Sequence, residues 1–312
     1  MMPDEGNLGF VGRIVAAFGC VVCAAIACQE PSTHADFNVD VNLVVLNVSV
    51  ADRGGRIVGN LPQNTFQVFE DGAAQEIRLF RREDAAVAVG LVVDNSGSMQ
   101  RKLPDVVAAA GEFAKSSNPQ DQMFVIHFNE HVSPSLPTES AFMSDPQLLQ
   151  AAMSTIHARG QTALYDAIAA GIAHVRQSPL QKKVLIVLSD GGDNASTRRF
   201  EDIIALLQQS DVIVYTVGLF DDYDHDRNPG VLKRIAKVSG GESFFPREVA
   251  DASGTLEAVS RDIRNQYTLG YVSANPKPDG TYREVRVKLT GPHADRWIAR
   301  TRTGYVAGSE KP

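Results

Sequence analysis

Ala86-Val87-Ala88-Val89-Gly90-Leu91-Val92-Val93 runs without a break into Asp94-Asn95-Ser96-Gly97-Ser98-Met99. An apolar run of that length, rich in Val and lacking alternation, predicts a strand buried on both faces, as in a parallel sheet. The strand ends in three oxygen-bearing side chains at alternate positions, Asp94, Ser96 and Ser98. A turn can aim such alternating oxygens at one point, which suits a hard divalent cation.

The pattern recurs downstream. Val184 to Leu188 is a second apolar run, and it ends in Ser189-Asp190-Gly191-Gly192. Between the two stands Arg159-Gly160-Gln161-Thr162-Ala163-Leu164, which places a threonine just before a helical pattern. Taken singly, these segments also read as capped turns, with Thr162 as an N-cap and Asp190-Gly191-Gly192 as a simple reversal. Taken together, Asp-x-Ser-x-Ser, a loop Thr and a second strand-end Asp resemble the metal-ion-dependent adhesion site of von Willebrand factor type A (VWA) domains. Asp94, Ser96, Ser98, Thr162 and Asp190 fill its five positions in order.

The resemblance implies a doubly wound, mostly parallel six-stranded sheet over about 86–265. It also implies that Ser96 and Ser98 bind the cation through their hydroxyls. Asp94 and Asp190 would act largely through water, and Thr162 directly or through water. Two carboxylates balance a divalent ion while neutral hydroxyls add no charge, so the ion can accept a further anionic oxygen. A protein partner presenting Asp or Glu is the implied ligand. Small hydroxyl ligands and a six-fold shell favour Mg²⁺ or Mn²⁺, and Ca²⁺ prefers a looser shell.

Strand and helix patterns alternate around this centre. Met123–Phe128 and Val212–Val217 are further apolar strands. Helical spacing appears in Val106, Ala109, Ala110 and Phe113, in Leu164, Ile168, Ile172 and Val175, and in Ile203, Leu206 and Leu207. Leu232, Ile235, Ala236 and Val238 form another such face, closed by Gly240-Gly241, and Leu256, Val259 and Ile263 form the last.

The flanks read as β structure. Val39, Val41, Leu43 and Val45 alternate, then the phase shifts through Leu46, Val48 and Val50, which predicts a bulge or a doubly buried strand. Phe66–Phe69 and Ile77–Phe80 read as a hairpin about Glu70-Asp71-Gly72. After the helices, Tyr267, Leu269 and Tyr271 alternate, as do Val285, Val287 and Leu289, and Trp297–Val306 is one further strand region. Each flank is short for a core of its own, so 37–82 and 266–308 are expected to pair into one β-sandwich with the domain 86–265 inserted between them. The whole also resembles VWA-related exported proteins of acidobacteria, through the Asp-Gly hairpin and Arg302-Thr303-Gly304-Tyr305.

Three cysteines in 312 residues, Cys20, Cys23 and Cys28, all lie near the N-terminus, so the rest holds no disulfide framework and no thiolate zinc site. The net charge of −7 comes without a basic block, which argues against nucleic-acid binding. Arg13, the apolar Ile14–Ala27 and Ala25-Ile26-Ala27 read as a signal peptide over 1–28, with a tether over 29–36. A lipoprotein signal would cut at the same bond and acylate Cys28, giving membrane attachment. The expected protein is exported to the periplasm or cell envelope.

The leading expectation is an adhesion-type binding module, with no enzymatic activity. An envelope scaffold with a structural metal is the alternative. A metal-dependent hydrolase or phosphatase fits less well, because Ser96 stands where an aspartate-nucleophile phosphatase would carry its second Asp. Asp221, Asp222, Asp224 and Asp226 form an acidic loop that reads as a solvated surface, a partner contact or a holder of Ca²⁺. Asp193 reads as a turn residue and His127 as a satisfied core histidine.

Overall fold

The computed structural model describes residues 43–82, 84–135, 141–221 and 227–308, all within the compact unit Val41–Pro312. The signal peptide, the tether, Cys28, the first alternating residues Val39 and Val41, and Asp222, Asp224 and Asp226 lie outside the described residues.

The N-terminal flank holds β1 (Leu43–Asp52), β2 (Phe66–Glu70), β3 (Ala73–Gln75) and β4 (Ile77–Arg81). The central segment runs β5 (Val87–Asp94), α1 (Leu103–Lys115), β6 (Gln122–Phe128), β7 (Val132–Pro134), α2 (Pro146–Ser154) and α3 (Leu164–Val175). It continues with β8 (Lys182–Ser189), α4 (Phe200–Gln208), β9 (Ile213–Gly218), α5 (Pro229–Ser239), β10 (Ser243–Phe244) and α6 (Ala252–Arg264). The C-terminal flank holds β11 (Tyr267–Val272), β12 (Tyr282–Leu289), β13 (Trp297–Arg300) and β14 (Gly304–Val306).

The central sheet has six strands in the order β10-β9-β8-β5-β6-β7. All pairs are parallel except β6 with β7. Every residue of β5 is buried, because both faces are covered. Val87, Val89, Leu91 and Val93 join a core with α1, α2 and α6. Ala88 and Val92 join the opposite core with α3, α4 and α5. Double burial is why the decisive run lacks alternation. Strand order reverses direction between β5 and β8, so the crevice at their carboxyl ends is the place for a ligand.

Two antiparallel four-stranded sheets, β13-β1-β11-β4 and β14-β12-β2-β3, are built from both flanks. Their inner faces share a core of Leu46, Val48, Val50, Phe66, Val68, Tyr267, Leu269, Tyr271 and Val285. At one edge of this core the buried Glu70 accepts hydrogen bonds from Tyr271 Oη (2.7 Å) and Tyr305 Oη (2.8 Å) and from the Ser273 hydroxyl. Burial and the Glu70 charge push the Tyr305 phenol up to about 12.

Three details of the flanks differ from the expectation. The phase shift in β1 is not a bulge, and double burial holds only over its middle, where Val48, Ser49 and Val50 are all buried. Its register with β11 is continuous, and Val45 lies 40% exposed on the outer face. The chain returning from Asp71-Gly72 pairs with β2 only over β3, and after Glu76 it crosses to the other sheet, where β4 pairs with β11. The last strand region splits in the same way. β13 pairs with β1, whereas β14 pairs with β12. Strands that change sheets close a sandwich without long connections.

The flanking sheets are fastened to the central domain through α6. Asp262 accepts from Tyr215 Oη (2.6 Å) and pairs with Arg300 (2.5 Å). Gln266 donates to Tyr215 Oη (3.0 Å) and to Ser49 Oγ (3.2 Å). Lys182 donates from Nζ to the Ile263 carbonyl near the end of α6. Burial pulls this ammonium down to about 8, with the Asp262 charge opposing. Between about pH 8 and 10 the unfolded chain therefore holds a proton that the folded chain has released. Stability then rises with pH across that window, by up to about 1.4 kcal/mol per unit for this group. Above pH 10 the buried tyrosines reverse the trend, because the unfolded chain ionises them first. Urea unfolding at pH 8, 9 and 10 should show the rise, and Lys182→Met should flatten it.

Candidate metal centre

Asp94 is the last residue of β5, and Ser189 is the last of β8. Val93 and Leu188 are paired in the parallel ladder, so the two strand ends lie side by side. A short 3₁₀ turn, Gly97–Met99, follows β5 and reverses the chain toward α1. This geometry brings four of the five expected residues into one hydrogen-bonded cluster. The Ser96 amide donates to Asp94 Oδ1 (2.9 Å). Ser96 Oγ and Ser98 Oγ are 3.1 Å apart. Ser98 Oγ donates to Asp190 Oδ2 (2.6 Å).

Thr162 is placed through its backbone. Its amide donates to Asn194 Oδ1 (2.9 Å), and its carbonyl accepts from the amides of Asn194 (2.9 Å) and Ala195 (3.0 Å). The same loop is stitched to the first one, because the Gly97 amide donates to the Gly160 carbonyl (3.1 Å) and the Arg159 amide to the Asn95 carbonyl (2.8 Å). Glu130 Oε2 accepts from the Gln161 amide (2.9 Å). Gly160 has φ +78°, a left-handed conformation that favours glycine, and a Cβ there would also displace the Glu130 carboxylate. Among the described residues the Thr162 hydroxyl makes no hydrogen bond to the other four.

Asp94 is fully buried, and burial pushes its carboxyl up to about 6. The neighbouring Asp190 charge adds to the rise, and hydrogen bonds from Ser189 and Ser96 oppose it. Two buried carboxylates this close repel, and a cation between them would relieve the repulsion.

The donor set fits a small hard cation. Two ligands at right angles on Mg²⁺, each at about 2.1 Å, lie about 3 Å apart. The hydroxyl–hydroxyl and hydroxyl–carboxylate spacings here are 3.1 Å and 2.6 Å. Among the described residues no group of three or more His, Cys, Asp or Glu is placed to hold a metal.

Sequence reasoning missed three contributors. Ser189 donates from Oγ to Asp94 Oδ2 (2.6 Å) and accepts from the Gly191 amide (3.0 Å), which orients the carboxylate. Asn194 braces Thr162 by accepting from its amide on Oδ1. Lys102 is 1% exposed, donates from Nζ to the Leu219 carbonyl (2.9 Å) and lies 4.0 Å from Asp190 Oδ2. It stands at the N-cap of α1, where the helix dipole disfavours a cation. That misplaced charge was the available signal.

The other residues singled out have plain roles. His127 Nδ1 meets Ser135 Oγ at 2.7 Å, and burial lowers its pKa, as a satisfied core histidine requires. Asp193 accepts from Ser196 Oγ (2.6 Å) within its turn and from the Tyr165 amide (3.3 Å) at the start of α3. Asp221 pairs with Arg101 at 2.8 Å.

Integrin alpha-X of Mus musculus is 26% identical over 184 residues, covering 56% of this chain and 15% of the integrin, so the chain spans a small part of that relative's length. The structure of a von Willebrand factor type A protein from Catenulispora acidiphila aligns with a TM-score of 0.51 at 14% identity, over 85% of this chain and 74% of that one. Proximal thread matrix protein 1 from the mussel byssus, solved with a zinc-occupied MIDAS motif, aligns with a TM-score of 0.50 at 16% identity, over 62% of this chain and 49% of that one. At these identities the structures share the fold. The family profile described as von Willebrand factor type A domain matches residues 89–261, from within β5 to near the end of α6. With that match spanning the central sheet and the loops at its carboxyl end, the chain belongs to the von Willebrand factor type A domain family.

Proposed function

We propose that this protein is an exported, metal-dependent binding module, without enzymatic activity, whose divalent cation accepts a carboxylate from a protein partner. The observation that carries the reading is the run of oxygens Ser96 Oγ, Ser98 Oγ and Asp190 Oδ2, spaced 3.1 Å and 2.6 Å at the crevice between β5 and β8. Asp94, Ser96, Ser98, Thr162 and Asp190 would hold the ion, and Ser189 would orient Asp94. The hydroxyl-rich set favours Mg²⁺, with Mn²⁺ next and Ca²⁺ less well suited. The zinc-occupied motif of the byssus protein supports a metal at the corresponding place. Bound there, the cation supplies a Lewis-acid position for an anionic oxygen.

The expected N-terminal signal supports export to the periplasm or cell envelope, with Cys28 as the site of lipid attachment. The sandwich made from 37–82 and 266–308 would present the 86–265 domain to the partner.

The test is fluorescence anisotropy with a labelled peptide carrying one Glu among neutral residues. It should bind in Mg²⁺ and be released by EDTA, and the matching Gln peptide should not bind. Equal binding of both peptides, or binding that survives EDTA, would move the contact away from the metal.

A further inference from the structure

β2 and β3 form a hairpin whose arms part after Val68 and Gln75, because the chain beyond Glu76 leaves for the other sheet. The gap between the parting arms is a cavity of about 500 Å³, a size typical of small-molecule sites. Its polar lining consists of the amides Gln63, Asn64, Gln67 and Gln75 together with Glu76, and no Lys, Arg or His lines it. The Glu76 carboxylate is paired with Arg78 at 2.7 Å. Phe69, Ala74 and Ile77 set apolar surface beside the amides.

Backbone groups at the gap are already engaged. The Phe66 amide donates to the Gln63 carbonyl, and Gln63 Nε2 donates to the Ile77 carbonyl (3.2 Å), so an incoming peptide strand finds these groups taken. Gln75 donates to the Ala73 carbonyl (3.3 Å) and accepts from the Ala274 amide (3.0 Å). Among the described residues the Asn64 and Gln67 side chains make no hydrogen bond. The cavity therefore offers two unengaged amides, each both donor and acceptor, next to apolar surface. A charged ligand finds no counter-charge there, and an apolar one would strip water from the amides without replacing its hydrogen bonds. A ring with hydroxyls on its edge and C–H groups on its faces meets both surfaces.

We propose that this cavity binds a neutral, hydroxyl-rich ligand of the oligosaccharide class. Sugar hydroxyls would donate to and accept from Asn64 and Gln67, and the ring faces would pack on the apolar side. The inference is independent of the metal centre and gives the sandwich a binding role of its own.

The test is saturation-transfer NMR on the full-length protein in EDTA, with cellotetraose, maltotetraose and chitotetraose as probes and a neutral peptide of serine, threonine and valine as the control. Wild type should bind at least one of the sugars with a dissociation constant of about 1 mM, and should not bind the peptide. Raising the salt about tenfold should leave the sugar affinity unchanged, because no charge takes part. Asn64→Ala and Gln67→Ala should each weaken binding about fivefold, the scale of one hydrogen bond. Ala74→Trp, which sets a large side chain at the gap, should abolish it.

No binding of any of the three sugars overturns the inference, and so does sugar binding that Ala74→Trp leaves intact. Tighter binding of the peptide than of the sugars would mean strand addition at the gap and overturns it too. If circular dichroism shows that Ala74→Trp does not fold, the two alanine variants decide, and an unchanged sugar affinity in both overturns it. Every arm is read in EDTA, so failure of the metal-binding reading would leave these outcomes untouched.

Discussion

Asp94→Asn will abolish divalent-cation binding while stabilising the metal-free protein. Asparagine keeps one oxygen to accept from the Ser96 amide, and its NH2 replaces the oxygen that accepts from Ser189, so the Ser189 hydroxyl must turn from donor to acceptor there. The substitution removes a buried charge whose ionisation is already opposed by burial and by Asp190. Removing one of two repelling buried carboxylates should raise metal-free stability by about 1–2 kcal/mol. A cation at a hundred times its dissociation constant stabilises a folded protein by about 2.7 kcal/mol, and the variant should lose that whole increment. Urea unfolding with and without Mg²⁺ reads both effects. Wild type should gain stability on adding Mg²⁺, and Asp94→Asn should start higher and gain nothing. A variant that is still stabilised by Mg²⁺ would show that the ion binds elsewhere.

Tyr267→Ala will cost about 3–5 kcal/mol, the range for deleting a buried aromatic side chain. Tyr267 is completely buried at the start of β11, immediately after the helix that closes the central domain. Its ring lies 4.8 Å from that of Phe66 and 6.0 Å from that of Phe80, one from each sheet of the sandwich. Its hydroxyl donates to the Val58 carbonyl (3.1 Å) and accepts from the Leu61 amide (3.0 Å), fixing the connection between β1 and β2. Tyr267→Phe keeps the ring and loses only the two hydrogen bonds, for about 1–2 kcal/mol. The difference between the two variants measures ring packing directly. Because α6 is clamped to both parts through Asp262, the sandwich and the central domain should unfold in one transition, moved to lower urea in both variants. Separate transitions would mean that the clamp does not couple them.

The central sheet was legible because its strands are buried on both faces. Val87–Val93 and Val184–Leu188 can hardly be anything but interior parallel strands, and the helices between them carry wide apolar faces. Short elements at the rim were not legible. In α2, Pro146–Ser154, only Leu149 and Met153 are buried and Leu148 is exposed, so the helical pattern is thin. β7 and β10 span three and two residues, too few for any periodicity. In the flanks, alternation identified the strands but not their partners. Nothing local to Glu76 or to 301–303 says that the chain will cross from one sheet to the other there. Pairing depends on which inner face each strand must cover, and that is a property of the assembled sandwich.

At the candidate site, the alternating Asp94, Ser96 and Ser98 pointed to one focus because strand-end geometry fixes their directions. Asp190 followed from its place at the end of the adjacent strand. Ser189 and Lys102 escaped because their roles are set by what lies across the crevice. A serine ending a strand and a lysine beginning a helix are each ordinary until Asp94 and Asp190 are seen beside them.

The account stands or falls on one cation shared by these loops. Crystals grown with Mn²⁺ should give a single anomalous difference peak about 2.2 Å from both Ser96 Oγ and Ser98 Oγ, facing Asp94, Asp190 and the Thr162 loop. Saturated crystals with no peak there, or with their strongest peak on another cluster of side chains, would contradict it.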